Sequence, residues 1–192
     1  MTFSTTRRAP MRHLSGILPC AKLSYMVLHI GIGLRIKKEE NMKRSIRNSA
    51  KALIIKEGKV LAIRIRDHGE EWYIMPGGGQ ESEELLTDAV CREVAEETGI
   101  EVTAKELVFV IEGVHGEAFH RVDFVFLCEY IGELPNAASH KDHNQTGCEW
   151  LDIKTLNHSR LYPSKLRRQI MNLYEGKPYT VYLGNEEVGD LH

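Results

Sequence analysis

Residues 77–100 read Gly77-Gly78-Gly79-Gln80-Glu81-Ser82-Glu83-Glu84-Leu85-Leu86-Thr87-Asp88-Ala89-Val90-Cys91-Arg92-Glu93-Val94-Ala95-Glu96-Glu97-Thr98-Gly99-Ile100. Leu86, Ala89, Val90 and Val94 recur at helical spacing and form one apolar stripe. Ser82 is the expected N-cap, with Glu83 and Glu84 at the positive end of the helix dipole. Gly99 stands where a left-handed C-terminal residue is wanted. Three glycines after a strand, followed by a helix packed on a sheet, are the local architecture this stretch predicts.

The polar side of the helix carries the chemistry. At about 100° per residue, Glu93, Glu96 and Glu97 fall within one narrow arc. Carboxylates roughly 4 Å apart repel by about 4 kcal/mol at an effective dielectric near ~20. Arg92 relieves part of this. A hard divalent cation relieves more, because Mg²⁺ and Mn²⁺ take carboxylate oxygens and water. A solvated acidic face paired with lysines is the plain alternative, but no lysine occurs between Lys59 and Lys105. Glu84 lies about half a turn from Glu93 around an ideal helix, so a structural role with Arg92 suits it at least as well as ligation. Gly77 to Gly79 let backbone approach a ligand closely, and a carbonyl there is a candidate metal ligand.

This stretch resembles the Nudix box, G-x5-E-x7-R-E-U-x-E-E-x-G-U, where U is aliphatic. Gly78, Glu84, Arg92, Glu93, Val94, Glu96, Glu97, Gly99 and Ile100 match every fixed position. The strand order resembles the family more loosely over about residues 45–175. The resemblance implies an α/β (α+β) fold, an α/β/α sandwich around a mixed β-sheet. It implies Mg²⁺- or Mn²⁺-dependent hydrolysis of a nucleoside diphosphate linked to another group. By position, Glu96, Glu97 and the Gly77 carbonyl would hold metal. Glu93 would be a ligand or the base that activates water, and Arg92 would orient the glutamates. Gly78 and Glu84 would support the loop. Many members use one more acid from beyond the box; Asp142, Glu149 and Glu117 are candidates, with His143 as a further base. Dimers are common in the family, and nothing in this sequence fixes one.

Working outward, Ala50 to Asp67 reads as two strands around a Lys56-Glu57-Gly58-Lys59 hairpin turn. Residues 66–71 read as a polar loop, and Trp72 to Met75 as a short strand ending at Pro76. After the helix, Leu107 to Val114 and Arg121 to Tyr130 read as strands. The second is apolar on both faces, as expected of a covered central strand. Residues 132–147 read as a loop and Cys148 to Ile153 as a last short strand. Pro163 opens a second helix, with Leu166, Ile170 and Leu173 at helical spacing and Gly176 beyond it.

The whole chain has 192 residues, 42% hydrophobic and 27% charged, which excludes a largely disordered or polytopic membrane protein. Aromatics at 7% are too sparse for a single-strand stacking platform. Cys20, Cys91, Cys128 and Cys148 form no CxxC pair and suit a reducing cytosol. His115, His120, His140, His143 and His158 are scattered, and no zinc site is expected of them. The net charge of −2 conceals an asymmetry. Residues 1–38 carry seven basic groups and no acid, and the rest carry 18 basic and 27 acidic groups. An acidic body disfavours a nucleic-acid polymer as partner and suits a small nucleotide arriving with metal.

Residues 1–41 are basic, Ser/Thr-bearing and without strong periodicity. A transit peptide is a partial match. A membrane span is broken by Pro19, Lys22, His29 and several glycines. The remaining expectation is that translation naturally starts at Met42, since Lys38-Glu39-Glu40 can be encoded by AAG-GAG-GAA, which resembles a bacterial ribosome-binding site. On that expectation, 1–41 is a disordered or non-native extension and 42–192 is one domain.

For substrate, ADP-ribose or a related nucleotide sugar is the first expectation. The tail from Leu161-Tyr162-Pro163 to Leu183-Gly184 resembles small bacterial ADP-ribose pyrophosphatase-like members. The proline that ADP-ribose hydrolases often carry some fifteen residues past the box is absent, as are the NADH and coenzyme A motifs. Trp72, Tyr73, Phe119 and Tyr162 are candidate base-stacking residues. A nucleoside triphosphate pyrophosphatase is the second expectation and a non-catalytic nucleotide sensor the third. The intact Glu93, Glu96 and Glu97 count against the sensor. Processing of RNA 5′ ends is disfavoured by the acidic body.

Overall fold

Hydrophobic alternation in the strands and the two amphipathic helices resolve, in a computed structural model, into a mixed sheet covered on both faces. Residues 45–114, 119–135 and 144–186 are described. The strands are β1 (Ile46–Lys56), β2 (Lys59–Asp67), β3 (Glu70–Ile74), β4 (Gly77–Gly79), β5 (Ile100–Gly113), β6 (His120–Glu133), β7 (Gln145–Asp152), β8 (Leu161–Tyr162) and β9 (Tyr182–Asn185). The helices are α1 (Leu86–Thr98) and α2 (Lys165–Tyr174), with a 3₁₀ segment at Ile153–His158. The extension at 1–41, together with Asp142, His143 and Glu117, lies outside the described residues.

β1 organises the sheet. It runs parallel to β6 from Ile46 to Ile54 and antiparallel to β4 over Ser49 to Lys51. Its last two residues turn into β2, which then pairs with β3 on one side and β7 on the other. The turn at Glu57-Gly58 has φ of 52° and 74°, both left-handed, as a two-residue hairpin of matching twist requires. His68-Gly69 repeats this with 46° and 85°. The expected polar loop at 66–71 is therefore mostly strand, with only two residues in the turn.

Side-chain alternation sends β1 into two cores. Ala50, Ala52 and Ile54 join Phe126, Cys128 and the α1 residues Ala89, Val90 and Val94. Leu53 joins Val125, Phe109 and the α2 residues Leu166 and Ile170 on the opposite face. β6 is thus the covered central strand its sequence predicts, lying between β1 and β5. β5 begins at Ile100, earlier than its sequence pattern predicts. Bulges near Val102 and Leu107 absorb the break in alternation at Lys105-Glu106. β7 begins at Gln145 rather than Cys148. β8 is two residues long and β9 four, too short for periodicity to announce.

The N-terminus of α1 departs from expectation. The helix starts at Leu86, after Leu85 in an extended conformation, and Ser82 does not cap it. Glu83 takes φ of 66° within a turn. The Glu84 carboxylate instead accepts from the Glu81 N–H at 3.0 Å, stabilising the turn before the helix. The other end is as expected: Gly99 takes φ of 70° and its N–H returns to Ala95 O.

Packing makes one thiol inert. Burial, with the nearby Cys91 thiol, pushes Cys128 up to about 12. Native protein treated with iodoacetamide at pH 8 is expected to leave Cys128 unmodified by mass spectrometry, with reaction only after denaturation. Native labelling as fast as in the denatured chain would contradict the buried placement.

Candidate active site

The carboxylates of α1 and the glycine strand β4 meet along β1. Gly77 is required by close backbone, while Gly78 and Gly79 lie against the ends of long side chains. A Cβ on Gly77 would enter the Ala50 carbonyl, and one on Gly78 would enter the Glu93 carboxylate. One on Gly79 would meet the Arg47 guanidinium. Gly77 also has φ of 122°, which L side chains rarely adopt. The three residues form a short strand rather than an open loop, and that strand brings backbone against the glutamates.

Arg92 is the charged centre of α1. Its Nε and Nη2 donate to the two oxygens of Glu84 at 2.8 and 3.0 Å, a bidentate pair. Nη1 donates to Glu93 at 2.9 Å and Glu96 at 3.3 Å, and Nη2 also reaches the Gly79 carbonyl at 3.2 Å. Hydrogen bonds from Arg92 hold the Glu84 carboxyl down to about 2, and Arg92 is pushed up above its ordinary value. Glu84 therefore sits apart from the arc and anchors the arginine.

Glu97 turns inward. It is 9% exposed, against 46% for the Glu96 side chain. Its Oε2 accepts from the Gly77 N–H at 2.8 Å and its Oε1 from Gln145 Nε2 at 2.7 Å. Burial pushes the Glu97 carboxyl up, opposed by the Gly77 N–H, Lys51 and Gln145 and assisted by Glu93. Lys51 Nζ donates to the Gly77 carbonyl, the oxygen that the family resemblance assigns to metal. The lysine missing from the helix is supplied by β1.

The predicted arc is thus divided. Glu93 and Glu96 share Arg92, while Glu97 faces Gly77, Lys51 and Gln145. Among the described residues, no group of three His, Cys, Asp or Glu is placed to hold a metal ion. By kind, the donors fit a hard divalent cation: carboxylate oxygens and one carbonyl, already in contact with the cationic groups of Lys51 and Arg92. Repulsion alone does not demand a metal, because these two cations offset much of it.

Glu149 is not brought to this cluster by any described contact; its Oε2 accepts from the Tyr73 hydroxyl at 2.9 Å. His120 pairs with Glu112 at 2.7 Å. Of the four aromatic candidates, Trp72 and Tyr162 line a cavity of about 580 Å³, on the side of β1 that Lys51 faces. Phe119 lies under the Arg47 guanidinium, 5.2 Å from its centroid. Sequence reasoning missed Lys51 and Gln145. Lys51 carried a signal, a charge inside the apolar run Ala50 to Ile55; Gln145 carried none.

The Glu84–Arg92 pair predicts a pH signature. Because the folded Glu84 value lies below its ordinary 4.5, the pair stabilises fully above that value and its contribution is lost as pH falls towards about 2. Glu84→Gln should lower the thermal midpoint at pH 7, with the gap to wild type narrowing by pH 3. A gap independent of pH would contradict the pairing.

The NUDIX domain family model matches residues 46–173. A MutT-like protein of Streptomyces ambofaciens is 34% identical over 102 residues, covering 53% of this chain and 60% of that protein. Solved structures share the fold, two of them as follows. A Nudix hydrolase from Nitrosomonas europaea has a TM-score of 0.59 at 20% identity, over 70% of this chain and 93% of the other. An ADP-ribose pyrophosphatase from Streptococcus suis has a TM-score of 0.51 at 20% identity, over 72% of this chain and 97% of the other. The chain spans 66%, 23% and 60% of the length of the curated relatives it matches, in each case less than two thirds. With the family model spanning both cores, α1 and the glycine strand, the chain belongs to the Nudix domain family.

Proposed function

We propose that this chain is a Mg²⁺- or Mn²⁺-dependent pyrophosphohydrolase of nucleoside diphosphates linked to another group, with ADP-ribose or a related nucleotide sugar as substrate. The observation that carries this is Glu97: a buried carboxylate on the Gly77 N–H, beside Glu93 and beside a lysine that lines a nucleotide-sized cavity. The intact box supports hydrolysis over binding alone. The aromatic side chains Trp72 and Tyr162 support a nucleoside in the cavity.

In this mechanism Glu96, Glu97 and the Gly77 carbonyl would hold the cation. Mg²⁺ or Mn²⁺ held there would supply charge neutralisation of the two phosphates and activation of water. Glu93 would be a further ligand or the base that takes the proton of the attacking water. Arg92 orients Glu93 and Glu96 and is itself fixed by Glu84. Lys51 offsets substrate charge between the cavity and the carboxylates, and Gln145 holds Glu97 in position. Asp142, Glu117 and His143 remain proposals for a further acid or base. Among the described residues no helix is long and apolar enough to cross a membrane. Cys91 and Cys128 are free thiols, which supports a cytoplasmic assignment.

A panel of ADP-ribose, other nucleotide sugars and nucleoside triphosphates, assayed with Mg²⁺ or Mn²⁺, tests the reading. ADP-ribose should yield AMP and ribose 5-phosphate, and chelation should abolish turnover until metal is restored. Glu97→Gln should lower kcat by about a hundredfold or more with the fold intact. Undiminished turnover in that variant, or equal rates with and without metal, would sink the proposal.

A further inference from the structure

We propose that Asp123 is a specificity-determining residue whose Oδ1 accepts a hydrogen bond from an N–H or O–H donor on the nucleoside part of the substrate. This rests on the cavity beside Glu97 being the place of the nucleoside. Asp123 stands in the apolar strand β6, between Val122 and Phe124, yet is only 4% exposed. One oxygen is engaged: Arg121 Nε donates to Oδ2 at 2.8 Å, and Arg121 Nη2 donates to Glu186 at 2.6 Å. The other oxygen, Oδ1, is buried and has no hydrogen-bond partner among the described residues. A carboxylate oxygen buried without a donor is costly, and such groups are rare in folded proteins.

Its location says what would satisfy it. Asp123 lines the same cavity as Trp72, Tyr162 and Lys51. Lys51 in turn reaches the Gly77 carbonyl, whose residue also donates its N–H to Glu97. The cavity that Asp123 lines is therefore linked to the hydrolytic carboxylates through Lys51 and Gly77. An anionic phosphate is repelled by a carboxylate, so the phosphates belong at the Lys51 end. What remains for Oδ1 is a neutral donor: an exocyclic amine of the base or a hydroxyl of the sugar.

The experiment is calorimetric titration of the full chain, in Mg²⁺ buffer, with AMP, IMP, 2′-deoxy-AMP and 3′-deoxy-AMP. IMP replaces the amine of the base by a carbonyl, and each deoxy analogue removes one hydroxyl. The analogue lacking the donor should bind at least about tenfold more weakly than AMP, and Asp123→Asn should shrink that ratio to about twofold or less. Loss with IMP identifies the base, and loss with a deoxy analogue identifies the sugar. Circular dichroism and the melting midpoint establish that the variant is folded. Asp123→Asn combined with Arg121→Gln keeps the pair neutral and takes its place if the single variant does not fold. Equal affinity for all four nucleotides, no binding of any, or a ratio unchanged in the folded variant would overturn the proposal and leave Oδ1 with water alone. These affinities are independent of turnover: a protein that binds selectively but cleaves nothing refutes the hydrolase assignment only.

Discussion

The guanidinium of Arg92 meets three carboxylates and a backbone carbonyl, and the site depends on that convergence. Glu84 supplies a bidentate partner from the turn before α1, which fixes the arginine from one side. Glu93 and Glu96 share its remaining nitrogen, so two acids of the helix are oriented by one group. The Gly79 carbonyl ties the same group to β4. Because β4 is paired with β1, the position of the acids is referred to the central sheet rather than to the helix alone. The same strand pairing carries the Gly77 N–H to Glu97 and the Gly77 carbonyl to Lys51.

Much of this was legible in order along the chain. Helical spacing gave α1 its buried stripe, Gly99 its end, and the doubly apolar pattern of β6 its central position. The pairing of Glu84 with Arg92 was one of two readings left open, and the helical separation behind it does not apply, since Glu84 lies in the turn before α1. Ser82 misled, because capping preferences are local and the Glu84 carboxylate competes for the turn through its tie to Arg92. β8 and β9 were invisible for a different reason: their strand character comes from pairing with β3 and β5, not from their own few side chains.

The residues that complete the site were less legible because they arrive through tertiary register. Lys51 and Asp123 are charges inside apolar strands, an anomaly that composition makes visible but cannot assign. Gln145 reaches Glu97 only because β7 lies against β2, and an amide at the edge of a polar stretch attracts no notice. Electrostatic reasoning on one helix also overstated the isolation of its acids. Neighbouring strands supply cations that the helix sequence lacks, and a cluster costly in isolation becomes tolerable in its fold.

The parallel register of β1 on β6 joins residues more than seventy positions apart, with the glycine strand, the acidic helix and β5 all strung between them. During synthesis, β1 therefore leaves the ribosome long before its main partner exists. Until then it carries an apolar edge that can pair with other chains. Closing so large a loop is slow relative to forming α1 or the two short hairpins. The scaffold of the candidate site is thus assembled late, from pieces that are individually local and quick.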